Sequence, residues 1–484
     1  MKLFFLTFNS LILLYFFTLK SSFGIHWSNT LCPVDLNFTS SSLSKYINKT
    51  EKPCRDFHSF VCGNWYSYLE GVNDFNYGDV FVKNDHILSG FKKRILRGDK
   101  DSYSKALKKL NKMLEKCESL DDGPRSNCIK KVENFGFYAY ASYFVKNLEE
   151  SNMTTYYFEM IAKIFEASRE VLIEQIIPMK TNILSSDARK EFIKKLKILR
   201  FYRGSYQRLK DINMMEECYD FFEFADNCTV DEMLNDIKHY DCMIPEDYPK
   251  KEKCVNYIHN MLDGSIDTSR LINSNAYYRY KINRFLLNPN IIRHPCFDCR
   301  FPKSFQYGCI GFVIGQEIMK TLDETLRLQI FKKQADKNKP GPYQKRYDEL
   351  KKCFTNKLNQ LLSKNELSES EKKNLLNDIV ADNAGIKVAY TAYKLYLKYN
   401  KNVTEGPIPG FDHLSHDQLF FFGYGRSFCE HKNDKWKTTI ITPRKGRPLY
   451  LSKLLTITNN EAFSEAYKCD INEPMNPREK CSIW

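Results

Sequence analysis

Glycine and proline are sparse, 20 and 17 among 484 residues, which excludes collagen-like and elastic proteins. Beyond the first two dozen residues no stretch approaches 18 apolar residues, so no later membrane-spanning helix is expected. No phosphate-binding loop, dinucleotide fingerprint or Ser-His-Asp arrangement rises above background, and no internal repeat is found. Acidic residues are the minority charge, 59 against 73 Lys and Arg, a net +14. The lysines are nevertheless scattered along solvated stretches without a basic-aromatic array, so nucleic acid is not expected as a partner. What is present in quantity is core material: 43% hydrophobic and 14% aromatic residues exclude wholesale disorder. The length allows two to four ordinary domains or one large two-lobed one. The 16 cysteines are too dilute to replace a core and instead support one.

The chain opens on Lys2 and an apolar run from Leu3 to Leu19, followed by the small residues Ser21, Ser22 and Gly24. This reads as a signal peptide over 1–24, cleaved near Gly24, and a secreted protein; the alternative is an uncleaved signal that anchors a type II membrane protein. Asn37, Asn48, Asn152, Asn227 and Asn402 head Asn-x-Ser/Thr sequons, in keeping with a glycosylated secretory protein. A Cys-bearing N-terminal arm over 25–66 precedes a helical region over 67–270 and a region of mixed texture over 271–484. Phe158, Ile161, Phe165, Leu172 and Ile176 keep helical spacing up to Pro178, and a helix is expected from Ser186 to Gly204. Residues 335–347 read as an exposed loop. "NAYYRYKINRFLL" begins as a strand and turns irregular, "GCIGFVIGQEIMKTLDE" carries Ile310, Ile314 and Ile318 every four residues, and a long helix runs from about Ser368 to Tyr399.

Those last segments resemble the neprilysin family of zinc endopeptidases. "NAYY" at 275–278 is similar to the family's substrate-binding strand, "YGCIGFVIGQEIMKTLDE" at 307–324 to its zinc-binding helix, and "DIVADNAGIKVAYTAY" at 378–393 to the helix of its third zinc ligand. "IPGF…QLFFFGYGRSFC", the C-terminal "FSEAYKCDINEPMNPREKCSIW" and the early "KPCRDFHSFVCGNW" add to the likeness. The resemblance implies a mainly α fold with a small β-sheet, in a two-lobed thermolysin-like metallopeptidase architecture. The chain is shorter than a typical family ectodomain, so the N-terminal helical lobe is expected to be reduced and the cleft more open.

A zinc peptidase of this class needs His-Glu-x-x-His on a helix, because the i, i+4 spacing puts both imidazoles on one face and the Glu activates the metal-bound water. In this sequence the two His positions are Gln316 and Lys320. By the resemblance, Glu317 is the relic general base, Asp378 stands at the third-ligand position and Asp382 at a supporting carboxylate position. An ammonium at Lys320, about 4 Å from a divalent ion at an effective dielectric near 20, would oppose it by roughly 8 kcal/mol. The family's late catalytic His falls near Gly446, after the last histidine of the chain, His431. Its substrate-clamping Arg falls near Ser452, with Arg444 and Arg447 as nearby substitutes. The family zinc is therefore expected to be lost, leaving no cofactor and no metal. Two structural readings of Lys320 stand side by side: an i, i+3 partner of Glu317, or an ammonium placed beside Asp378 where the metal charge was.

Asn275 and Ala276 are expected to hold peptide backbone, as the resemblance implies, or only to fix an edge strand. His413 and His416, flanked by Asp412 and Asp417, sit in a loop and carry no metal expectation. His294, Cys296 and Cys299 suggest a zinc knuckle, against which an exported chain favours disulfides. By the resemblance Cys54 pairs with Cys469, Cys62 with Cys429, Cys117 with Cys254 and Cys353 with Cys481. Cys218 with Cys228 is a local reading. Cys32, Cys128, Cys242, Cys296, Cys299 and Cys309 keep 15 possible pairings. The expected function is an inactive neprilysin-like protein binding peptides, or a secreted or cell-surface protein, as a decoy or regulator. The alternatives are an active zinc-dependent endopeptidase and an extracellular scaffold whose cleft does nothing. A membrane enters only if the signal segment stays uncleaved.

Overall fold

The computed structural model describes residues 32–64, 104–149, 152–176, 186–203, 209–262, 276–279, 282–287, 296–322, 342–361, 368–400, 405–427, 429 and 449–481. The signal segment, Asn275, His294, Asn402, His431, Arg444, Gly446 and Arg447 lie outside these residues. Among the described residues no helix is long and apolar enough to cross a membrane.

The fold is mainly α. The arm forms α1 (Leu36–Tyr46) and α2 (Phe57–Cys62). A helical group follows: α3 (Lys105–Glu118), α4 (Asp122–Phe135), α5 (Phe137–Glu149), then α6 (Asn152–Val171), which runs into a π-helical turn at Leu172–Ile176. Next come α7 (Ser186–Ile198), β1 (Arg200–Arg203), α8 (Ile212–Asp220), α9 (Val230–Lys238), α10 (Tyr240–Met243) and α11 (Lys251–Leu262). The remainder carries β2 (Ala276–Arg279), β3 (Arg284–Leu287), α12 (Lys303–Gln306) and a π-helical turn at Tyr307–Gly311 that feeds α13 (Phe312–Met319). It ends with α14 (Pro342–Leu361), α15 (Glu369–Tyr399), α16 (His416–Arg426), α17 (Leu449–Thr458) and α18 (Glu461–Tyr467).

Two hydrophobic cores organise these elements. The smaller joins α3–α5 with α8–α11 around Leu110, Phe135, Tyr138, Tyr219 and Tyr240. The larger joins the arm, α6, α7, the sheet and α12–α18. The packing therefore does not follow a boundary at 270/271: the buried apolar residues of α6 and α7, with Phe201 of β1, belong to the larger core. The stripe on α6 explains why, since Phe165 packs its ring on Phe201 of β1 at 5.7 Å and on Phe285 of β3 at 5.2 Å.

The same contacts shorten a helix. The expected helix to Gly204 stops at Ile198, and Arg200–Arg203 become β1, which pairs in parallel with β3. Tertiary pairing of Phe201 with the buried Phe285, rings 5.7 Å apart and stacked, overrides the helical pattern. The irregular stretch after "NAYY" is a hairpin turn, with Asn283 in the left-handed region at φ 48. β2 and β3 are antiparallel, and the sheet order β1-β3-β2 leaves β2 at an edge. Of the expected 335–347 loop, the described part, 342–347, opens α14.

Disulfides bind the arm to the C-terminal core: Cys32–Cys299, Cys54–Cys469 and Cys62–Cys429. Cys353–Cys481 and Cys296–Cys309 lie within the C-terminal region, so Cys296 and Cys299 are disulfide sulfurs and not a zinc knuckle. Two expected pairings are corrected. Cys117 is bonded to Cys128 and not to Cys254; Cys218 is bonded to Cys254 and not to Cys228. The antiparallel packing of α3 on α4 brings Cys117 to its neighbour 11 residues on, while α8 and α11 carry the other bridge. Cys228 and Cys242 are thiols.

Candidate functional site

The site is built where α13 crosses α15 and α17 closes over both. A capping box, in which Ser368 and Glu371 exchange hydrogen bonds, starts α15. Two glycines then let the helices meet backbone to backbone. A Cβ on Gly385 would collide with the Gln316 nitrogen, and one on Gly315 with the Gly385 carbonyl. This places Gln316 of α13 against Asp382 of α15, with Glu317 next along α13, Lys320 in the turn that follows it, and Asp378 one turn before Asp382 on α15. Ile310, Ile314 and Ile318 are buried and anchor the other side of α13 and its preceding turn.

Asp382 is the hub. It is 1% exposed, and a carboxylate so buried needs partners. The Gln316 side-chain amide donates to its Oδ1, and the Ser452 hydroxyl donates to its Oδ2. The Lys453 ammonium, itself 3% exposed, donates to the same Oδ2 at 3.0 Å and lies 4.0 Å from the centre of the Phe312 ring. Tyr424 donates its hydroxyl to the Lys453 carbonyl at 3.2 Å. Burial, with the Asp382 charge second, pushes that phenol well above its ordinary range and keeps it a donor. Next to the hub, Asn383 donates to Thr456 at 3.2 Å and accepts from Asn459 at 3.0 Å. Asn459 in turn donates to the Cys481 carbonyl, so α15, α17 and the Cys353–Cys481 bridge form one polar assembly.

Glu317 is a second, separate pair. Its Oε1 accepts from Lys320 at 2.5 Å and its Oε2 from the backbone N–H of Tyr278 at 3.0 Å. Of the two readings of Lys320, the structure shows the i, i+3 pair with Glu317. The ammonium buried beside Asp382 belongs to Lys453, one residue beyond Ser452. Sequence reasoning misses it; its signal is a lysine set among Leu451, Leu454 and Leu455. Ala276 is buried at the start of β2, Tyr278 points its N–H at Glu317 and away from β3, and Asp378 is half-buried.

These residues do not fit a zinc ion. At the two His positions stand a neutral amide, whose N–H₂ is given to Asp382 and whose carbonyl oxygen is not among zinc's usual N, S and carboxylate ligands, and an ammonium given to Glu317, which has no lone pair for a metal. Asp382 and Glu317 each carry their own cation, so the pairs are neutral before any metal arrives. Among the described residues, clusters of three metal-ligating types occur only at Cys32–Asp298–Cys299 and Cys54–Cys469–Glu473, both built on disulfides. His416 faces Glu405, its Nδ1 3.8 Å from Oε2. Of the sequons, Asn37 is exposed on α1, Asn227 is exposed in the turn before α9, and Asn48 accepts from Thr50.

Comparison with known proteins agrees with this geometry. The profile of peptidase family M13 matches residues 275–483. Neprilysin-1 of Caenorhabditis elegans is 32% identical over 210 residues, 43% of this chain and 28% of that protein. Neprilysin-21 of the same species is 26% identical over 316 residues, 62% of this chain and 40% of that protein, and human neprilysin is 31% identical over 215 residues, 43% and 28%. A solved structure, the Haemonchus galactose containing glycoprotein complex, superposes with a TM-score of 0.52 at 16% identity, over 75% of this chain and 55% of that one, a likeness of fold alone. Over residues 275–483 the chain is therefore similar to the M13 peptidases, the neprilysins among them. Its matches span less than half the length of these curated relatives.

Proposed function

We propose that this protein is a secreted, non-catalytic member of the neprilysin family that binds peptides or a protein partner as a decoy or regulator. The observation that carries the reading is the Gln316–Asp382–Lys453 assembly, in which a buried ammonium satisfies the carboxylate that in a peptidase supports the metal site. With Glu317 held by Lys320 and by Tyr278, no carboxylate of the pair is left to take a proton from water. Peptide recognition needs no metal: an extended peptide joins an edge strand through backbone hydrogen bonds. β2 is such an edge, and because Glu317 holds Tyr278 N–H, the reading assigns contact to the Asn275–Ala276 end.

The test is metal analysis and peptide cleavage with the purified full chain. The expected result is no stoichiometric zinc and no chelator-sensitive cleavage. One equivalent of zinc with cleavage abolished by a chelator would make the protein an active endopeptidase instead. Calorimetric titration with apolar peptides then separates a binding protein from a scaffold: micromolar binding weakened by Asn275→Ala supports the former, and no binding the latter.

A further inference from the structure

The sheet has one face against α6; on its other face Leu286 is buried, but the end of that face next to α7 is exposed and unusual. Register pairs Arg200 with Arg284 and Arg284 with Arg279, so three arginines form a single row across β1, β3 and β2. All three are exposed. With strands about 4.8 Å apart, the row spans roughly 10 Å. Like charges opposite one another repel. Two tyrosines of the same face stack on the row: Arg284 lies 4.1 Å from the Tyr202 ring centre and Arg279 5.6 Å from that of Tyr277.

A second feature meets the first. Among the described residues the exposed large hydrophobics include Ile198 at 58%, Ile282 at 49% and Tyr202 at 37%. Ile198 ends α7 two residues before Arg200, and Ile282 sits in the hairpin turn between Arg279 and Arg284. The two are held together: Asn283 of the turn donates to the Lys195 carbonyl of α7 at 3.0 Å and accepts from the Tyr278 hydroxyl at 2.9 Å. Lys194 and Lys197 add exposed charge beside Ile198. Neither 192–210 nor 268–297 contains an acidic residue. Glu166 of α6, within Coulombic reach of Arg200, is itself bonded to Arg169.

We propose that this tip, formed by the end of α7 and the β2–β3 turn, docks the protein peripherally on anionic phospholipid membranes. Projecting isoleucines enter the boundary between headgroups and acyl chains, tyrosines sit at headgroup level, and arginines bind lipid phosphates through their planar forks. A soluble polyanion would need the cations but not the isoleucines, which is why the lipid surface is the better fit. This site is independent of the cleft and of whether the protein cleaves peptides.

The experiment is co-sedimentation of the full disulfide-bonded chain with phosphatidylcholine vesicles, with and without about 30 mol% phosphatidylserine, in low and high salt. The expected result is binding to the anionic vesicles that weakens as salt rises. Arg200→Gln with Arg279→Gln and Arg284→Gln lowers partitioning about a hundredfold, at roughly a factor of five to ten per cation near the surface. Ile198→Ser with Ile282→Ser lowers it about tenfold or more, most clearly at high salt. A charge-matched control, Lys105→Gln, Lys108→Gln and Lys112→Gln on α3, changes it less than threefold. All the changes are at exposed positions, and thermal melting of each variant checks the fold. The proposal is overturned if wild type ignores anionic vesicles, if the α3 control loses as much as the arginine variant, if the isoleucine variant binds like wild type, or if heparin is bound in place of the vesicles.

Discussion

The two cores of this molecule are cross-linked in opposite ways. In the larger core the bridges join residues 415, 367, 267 and 128 apart in sequence, along with one local bridge. In the smaller core the bridges close only 11 and 36 residues. The first set fixes the N-terminal arm onto the C-terminal lobe, where Arg426 of α16 also donates to Ser42 of α1 at 3.1 Å. The second set only reinforces neighbours that already touch. The C-terminal lobe thus depends on long-range closure, and the helical lobe on local packing.

The largest expected effect tests this difference. Removing Cys54–Cys469 by double Ser substitution should cost about 4 kcal/mol, because with Cys62–Cys429 intact it still frees a loop of about 50 residues, whereas removing Cys117–Cys128 should cost about 3 kcal/mol. Urea denaturation of the two variants is the measurement. Equal losses would break the contrast and assign the stability of both lobes to packing alone.

The same contrast explains what is legible in the sequence. The C-terminal lobe carries local motifs at fixed spacing, so the helices that hold Gln316 and Asp382 are readable from their apolar pattern, and the positions of Gln316, Glu317 and Asp382 from the family resemblance. The helical lobe carries only apolar stripes, and stripes do not say which helix lies beside which; the family resemblance pairs Cys117 with Cys254 across a gap where the chain is shorter than its relatives, and the pairing fails there. β1 is hidden for another reason: its four residues belong to a helical pattern until Phe201 meets Phe285, a contact made 84 residues away. Lys453 is invisible because its partner, Asp382, is 71 residues away in sequence and is brought to it only by the packing of α17 on α15.

Within the C-terminal lobe, the buried and the partly exposed ion pair sharpen the comparison further. Lys453→Met should cost roughly 3–5 kcal/mol, since it leaves Asp382 charged and buried with only Gln316 and Ser452 as neutral donors. Combining it with Asp382→Leu should recover much of the loss, and a double-mutant cycle measures the coupling. Additive losses would show that Lys453 acts through packing on Phe312 and not through the carboxylate. Gly385→Ala should follow at about 1–3 kcal/mol, the cost of prising α15 from α13. A shift in thermal midpoint accompanied by no change in the Lys453–Asp382 coupling would show that the crossing is not what places the pair.

The smallest effect is expected at Lys320. Its side chain is 24% exposed, against 4% for Lys453, so water replaces it when it is removed, and salt already screens its pair with Glu317. Glu317 keeps a second partner in the Tyr278 N–H, which fixes the carboxylate against the edge strand whether or not the ammonium is present. Lys320→Met should therefore cost about 1 kcal/mol, several-fold less than Lys453→Met, with a loss that shrinks further at high salt. The measurement is parallel urea denaturation of the two variants at low and high ionic strength. If Lys320→Met proved the costlier of the two, the charge that holds the site together would lie at Lys320, and the assignment of that role to Lys453 would fall.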